Sequence, residues 1–143
     1  MKLTVYTDGG SLNNPGQAAS AYLIYIGGQL LEKKSVRLGI RSNNFAEYTA
    51  LILALGRVIE LIKSQIIHKP EQLECFSDSL LMVNQLRGIY KVKNSDLKGL
   101  FVEVYSLLKK CPFPVKFIHI LREKNQAADN LVKEALSSPP PEF

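Results

Sequence analysis

Apolar and polar residues alternate over positions 2–8, where Leu3 and Val5 stand between Lys2, Thr4 and Tyr6; this predicts a strand. The next eight residues, Gly9-Gly10-Ser11-Leu12-Asn13-Asn14-Pro15-Gly16, have the composition of a loop. A second strand is expected over 18–26. Gly27-Gly28 marks a hairpin, and a third strand returns over 29–38.

The period then changes. Ser42, Asn43 and Asn44 offer capping side chains ahead of Phe45-Ala46-Glu47. Ala46, Ala50, Leu53, Ala54, Val58, Leu61 and Ile62 recur at helical spacing to about residue 63, and Pro70 closes the loop that follows. A short strand is expected over 72–76, ending at Ser77-Asp78-Ser79. Helices are expected over 80–86 and 95–109, a fifth strand over 115–120 and a last helix over 125–136. The order βββαβααβα combines a three-strand meander with later strands that arrive through helical crossovers. It implies an α/β fold with a mixed sheet and helices on its faces. There is no internal repeat or linker, so residues 1–136 are expected to form one domain, with 137–143 a flexible Pro-rich tail.

Composition narrows the function classes. No apolar run approaches the ~20 residues that span a bilayer, and the start lacks the features of a secretory signal. Those two features make a cytoplasmic protein the expectation, and Met1 directly before the first strand suggests a free-standing one. Cys75 and Cys111 form no C-x-x-C pair and have no histidine cluster nearby, so a zinc site is not expected; Cys75, in an apolar run, reads as a core residue. A net charge of +5 and a pI near 9.2 make polyanions plausible partners. Nothing in the sequence demands more than a monomer.

Four acids occupy positions unusual for solvated charge. Asp8 ends an apolar strand and precedes two glycines, and Asp78 ends another. Glu47 sits early in an apolar helix, and Asp129 lies one turn into the last helix. Strand ends of a mixed sheet share a rim that helix first turns can also reach. Four carboxylates gathered there would repel one another unless a cation neutralised them. Ligands that are all oxygen suit Mg²⁺ or Mn²⁺. Taken singly, each acid reads more readily as a cap or a solvated charge, Asp78 as a helix cap and Glu47 as a helix N-terminal charge; the four together reverse that and favour the metal site.

The contexts of these acids resemble one family. Thr7-Asp8-Gly9-Gly10-Ser11 with Asn14-Pro15-Gly16, Asn43-Asn44-Phe45-Ala46-Glu47, Ser77-Asp78-Ser79 and Asn125-Gln126-Ala127-Ala128-Asp129 are similar, in order and interval, to type 1 ribonuclease H. Val92-Lys93-Asn94-Ser95-Asp96-Leu97 also looks like a segment that enters one of the family's helices. The resemblance implies a five-stranded mixed sheet, three antiparallel strands plus parallel ones, flanked by helices. It implies hydrolysis of the RNA strand of RNA–DNA hybrids with two Mg²⁺ ions, for which Mn²⁺ substitutes. Carried over position by position, Asp8, Glu47, Asp78 and Asp129 would be the metal ligands and catalytic groups.

The chain departs from the family pattern in three places. Residues 86–92 replace the basic helix and loop of some members, which resembles the short archaeal and plant-like branch. The segment before the last helix is shorter than the family's mobile, histidine-containing loop. Arg122 stands nearest to that histidine's place, where it suits a phosphate or leaving group but not a base; strand alternation makes His119 an ordinary sheet residue. Leu80 stands where relatives often carry a polar side chain.

For the substrate, Asn14, Asn43 and Asn44 are uncharged polar groups near the expected rim, suited to 2′-hydroxyls or base edges in a minor groove. Asn43 reads equally well as a helix cap and Asn14 as a turn residue. Gly9 and Gly10 would allow close backbone approach. Arg122, Lys91 and Lys93 are candidate phosphate contacts. Three alternatives stay open: a nuclease of the same fold acting on another duplex, such as double-stranded RNA; a non-catalytic or weakly catalytic nucleic-acid-binding module; and a fragment of a polyprotein such as a reverse transcriptase.

Overall fold

The computed structural model describes residues 2–137. In chain order the elements are β1 (Leu3–Ser11), β2 (Gly16–Ile26), β3 (Gln29–Arg41), α1 (Asn43–Lys63), β4 (Leu73–Ser77), α2 (Leu80–Leu86), α3 (Ser95–Leu108), β5 (Val115–His119), a 3₁₀ turn (Arg122–Lys124) and α4 (Gln126–Ser137). The strands form one sheet in the order β3-β2-β1-β4-β5. β1 pairs antiparallel with β2 and parallel with β4, and β4 pairs parallel with β5. This is the α/β, five-stranded mixed sheet expected from the element order.

The expected loop over 9–16 is corrected. β1 runs on through Gly9, Gly10 and Ser11, paired to Ser20, Ala19 and Ala18 of β2, so residues 12–15 alone connect the two strands. Glycine is a poor strand former in isolation, but a neighbouring strand that already offers ladder partners overrides local preference. β3 likewise outruns its expected end. The ladder absorbs Leu38 as an extra residue between the Ala18–Gly39 and Ala19–Arg37 pairs, where Gly39 takes φ +76°. α4 starts one residue later than expected, after a 3₁₀ turn that the pattern did not signal. Of the expected tail, Ser137 closes α4 and 138–143 lie outside the described residues.

The larger core lies on one face of the sheet. Leu3 and Val5 of β1, Tyr22 and Ile24 of β2, and Leu73 and Cys75 of β4 meet Tyr48, Leu51, Leu55 and Val58 of α1, with Met82 and Leu86 of α2 and Leu97 and Val104 of α3. The α1 residues recur at three- and four-residue spacing, which gives that helix one apolar stripe. Cys75 is buried there, and burial raises its thiol pKa well above the ordinary value. On the opposite face α4 packs alone, placing Val132 on Ala19 and Ala21. The two layers meet at the rim where β1 and β4 end their pairing. No described helix is long and apolar enough to cross a membrane.

Candidate active site

β1 and β4 pair in parallel as far as Thr7 and Ser77. The next residue on each strand is an acid, so Asp8 and Asp78 leave the ladder together at a fork. The Ser77 carbonyl accepts from Ile120 N–H at 2.9 Å. Ser77 Oγ accepts from Ser79 N–H at 3.0 Å, and Ser79 Oγ accepts from Met82 N–H at 3.2 Å. The cap of α2 is therefore Ser79. That overturns the alternative in which Asp78 is a cap, and its carboxylate is free to face the rim.

Glu47 comes to the same place from α1. Ser42 caps that helix by accepting from Phe45 N–H at 3.1 Å, which corrects the alternative of Asn43 as the cap. The helix is pressed onto β1 so closely that a Cβ on Gly9 would stand 2.2 Å from the Ala46 carbonyl carbon. Ser20 Oγ donates to the Ala46 carbonyl at 2.6 Å from β2. Gly9 N–H donates to Glu47 Oε1, which turns the carboxylate toward the fork. The close approach that Gly9 permits is thus to α1. Gly10 has no such constraint, its nearest neighbour being Val132 Cγ1 at 3.7 Å from an added Cβ.

Asp8, Glu47 and Asp78 each offer an oxygen within 4.8 Å of the others. Asp8 is 6% exposed and Glu47 7%. Burial, then the charges of Asp78 and Asp129, raise the Asp8 carboxyl from 3.8 to about 7. Burial, then Asp8 and Asp78, hold Glu47 well above its ordinary value. Such a group is uncomfortable when ionised alone and is relieved by a cation. Three carboxylate oxygens with no nitrogen or sulfur ligand fit a hard divalent ion.

Asp129 is brought to the rim but stands outside this three-acid group. Its Oδ2 pairs with Lys133 Nζ at 3.0 Å and its Oδ1 with Arg122 Nη2 at 3.4 Å. Arg122 therefore contacts Asp129 beside the three-acid group. Two residues escaped the sequence reasoning here, Lys133 and Asn125. Both lie four residues from Asp129, and helical spacing alone signals that they share its face. Asn125 Nδ2 donates to the Thr7 carbonyl and to Asp78 Oδ2.

The candidate substrate residues divide. Asn14 Oδ1 accepts from Asn43 N–H at 2.9 Å, and Asn43 Oδ1 accepts from Ser11 N–H at 2.8 Å and Ser11 Oγ at 3.0 Å. Their oxygens lock the 12–15 turn onto the start of α1, and their NH₂ groups make no hydrogen bond among the described residues. Asn44 is half-buried beside them. Lys91 and Lys93 are exposed on the 87–94 connection, which contains no helix, and Leu80 is exposed at the start of α2. His119 pairs with Ser77 and lines a groove with Arg87 and Tyr105, so it remains a sheet residue.

Comparison with known proteins bears on this arrangement. Residues 6–135 match a family described as reverse transcriptase-like. The solved structure of LC11-RNase H1, isolated from compost, in complex with an RNA/DNA hybrid is 39% identical with a TM-score of 0.85, covering 95% of this chain and 100% of that one. RNase H1 of the halophilic archaeon Halobacterium salinarum is 32% identical with a TM-score of 0.82, over 95% and 98%. A bifunctional protein of Mycobacterium tuberculosis is 29% identical over 96% of this chain, which spans 36% of that relative's length.

Proposed function

This chain belongs to the type 1 ribonuclease H family, and from that premise we propose that it is an endonuclease hydrolysing the RNA strand of RNA–DNA hybrids with two divalent ions, leaving 5′-phosphate and 3′-hydroxyl ends. The observation that carries the proposal is the group of Asp8 and Glu47, both buried, and half-buried Asp78, with oxygens within 4.8 Å of one another. The proposed ligands are these three and Asp129, with Mg²⁺ the natural ion and Mn²⁺ a substitute. When bound, the ions supply a water of lowered pKa as nucleophile and offset the charge on the departing 3′ oxygen.

The chain's own residues orient and recognise. The Gly9 N–H aims Glu47, and the fork at Thr7 and Ser77 sets Asp8 and Asp78 side by side. The NH₂ groups of Asn14 and Asn43, unbonded among the described residues, suit the 2′-hydroxyls that only the RNA strand carries. Arg122, paired with Asp129, carries the guanidinium that suits a phosphate oxygen. All four acids come from one chain, so a monomer suffices, with residues 1–136 as the catalytic unit.

The test is cleavage of an end-labelled hybrid beside duplex RNA and duplex DNA, with Mg²⁺, with Mn²⁺ and with chelator. The RNA of the hybrid should be cut, with the stated ends, and chelator or Asp78→Asn should abolish cutting. Near wild-type cleavage by either Asp8→Asn or Asp78→Asn with Mg²⁺ would overturn the assignment.

A further inference from the structure

We propose that Asn125 is a positioning residue that sets the acid cluster, a role that rests on the cluster being a metal site. Asn125 is 2% exposed and lies between the 3₁₀ turn and α4. One side chain reaches two strands. Nδ2 donates to the Thr7 carbonyl at 2.9 Å and, more loosely, to Asp78 Oδ2 at 3.4 Å. The main chain ties the remaining acid: Asn125 N–H donates to the Arg122 carbonyl at 2.9 Å, and its own carbonyl accepts from Asp129 N–H at 3.1 Å. The residue before Asp8, the carboxylate of Asp78 and the backbone of Asp129 are all referred to this one position.

The place of insertion explains why an amide is needed. β1 and β4 part after Thr7 and Ser77. The wedge that fills the fork faces a carbonyl oxygen on one side and a carboxylate on the other, both acceptors. An NH₂ group has two hydrogens for them. The other end of the amide shows the direction of the constraint: Asn125 Oδ1 is buried and accepts no hydrogen bond from the described residues. Buried polar atoms normally find partners. Turning the amide over would set its oxygen against two other acceptors. The side chain is therefore oriented by what it offers to Thr7 and Asp78, not by satisfaction of its own oxygen. Neither Ala nor Ser reproduces two donors at that reach.

The experiment compares the wild type with Asn125→Ala, and with Asn125→Ser should the alanine variant fail to fold. Mn²⁺ affinity is measured by titration calorimetry, kcat and KM on the hybrid across a Mn²⁺ series, and stability by thermal melting. Loss of a hydrogen-bond partner to a metal ligand typically weakens binding 10–100-fold, so Mn²⁺ affinity should fall at least about 10-fold. At limiting Mn²⁺, kcat should fall in step and recover as Mn²⁺ is raised, while KM for the hybrid stays within about twofold. Asn125 variants that melt lower yet bind Mn²⁺ as tightly as the wild type, well below their melting temperature, would overturn the positioning role and leave the metal site standing. A wild-type chain that takes up no Mn²⁺ would overturn the metal site, and this role with it.

Discussion

Lys133 Nζ lies 3.0 Å from Asp129 Oδ2, one helical turn along α4. With Arg122 on the other oxygen, the carboxylate is held by two cations and stands outside the group of three acids. A divalent ion that recruits Asp129 must compete with them. The lysine is 66% exposed, so the pair is weak, as surface ion pairs are. Lys133→Met should tighten Mn²⁺ binding by about two- to fivefold, an effect of ~1 kcal/mol or less. Calorimetric titration of variant and wild type reads this directly, and unchanged or weaker binding would refute the competition.

Asp8 carries the clearest conflict between folding and chemistry. Its charge is buried beside Asp78 and Asp129. Asp8→Asn keeps the shape and removes that charge. At pH 8 in chelator, the variant should be more stable than the wild type, by on the order of 2 kcal/mol, and with Mn²⁺ supplied it should fail to cleave. A variant less stable than the wild type would mean that the carboxylate is not repelled in the metal-free chain.

Stability should also depend on pH in a stated direction. Asp8 titrates near 3.8 in the unfolded chain and about 7 when folded. Between those values the folded state keeps a proton that the unfolded state has released. Stability from this group is therefore full below 3.8 and is lost as pH rises through about 7, and Glu47 acts in the same sense. In chelator, the wild type should lose more stability between pH 5 and pH 8 than Asp8→Asn does. Saturating Mn²⁺ should raise the melting temperature more at pH 8 than at pH 5. Equal pH slopes for the two proteins in a melting series would contradict this.

Two adjacent glycines should respond unequally to the same change. A Cβ on Gly9 meets backbone atoms of Ala46 and Glu47 at 2.2–2.4 Å, and backbone cannot swing aside as a side chain can. Gly9→Ala should cost about 3 kcal/mol or more, or prevent folding, by forcing α1 away from β1. Gly10→Ala meets ordinary contacts at 3.7 Å and beyond, and should stay within about 1 kcal/mol of wild type. Urea unfolding of the pair checks both; equal losses would show that α1 is not seated as described.

Much of the architecture was legible because its signals are local. The alternation at Leu3 and Val5, the helical spacing from Ala46 to Ile62 and Ser42 among the capping candidates report side-chain directions that hold within a few residues. α2 falls on its expected residues, 80–86. The acids stood out by context: Asp8 and Asp78 each follow an apolar strand. What stayed hidden depends on distant partners. Gly9 and Gly10 have loop composition, yet β2 supplies the ladder that keeps them in a strand. Asn125 has the look of a helix-start residue, and its bond to Thr7, 118 positions away, has no local trace.

The amino-acid order by itself determined the sequence of strands and helices, the family resemblance and which four acids to watch, since periodicity and motif spacing are properties of the chain. The tertiary structure alone decided that Asp8, Glu47 and Asp78 converge while Asp129 stands outside them, paired with Lys133 and Arg122. The physical reason is that convergence at a rim follows from where two strands stop pairing and from how closely a helix can press on a glycine. Both are packing outcomes, and no stretch of sequence contains them.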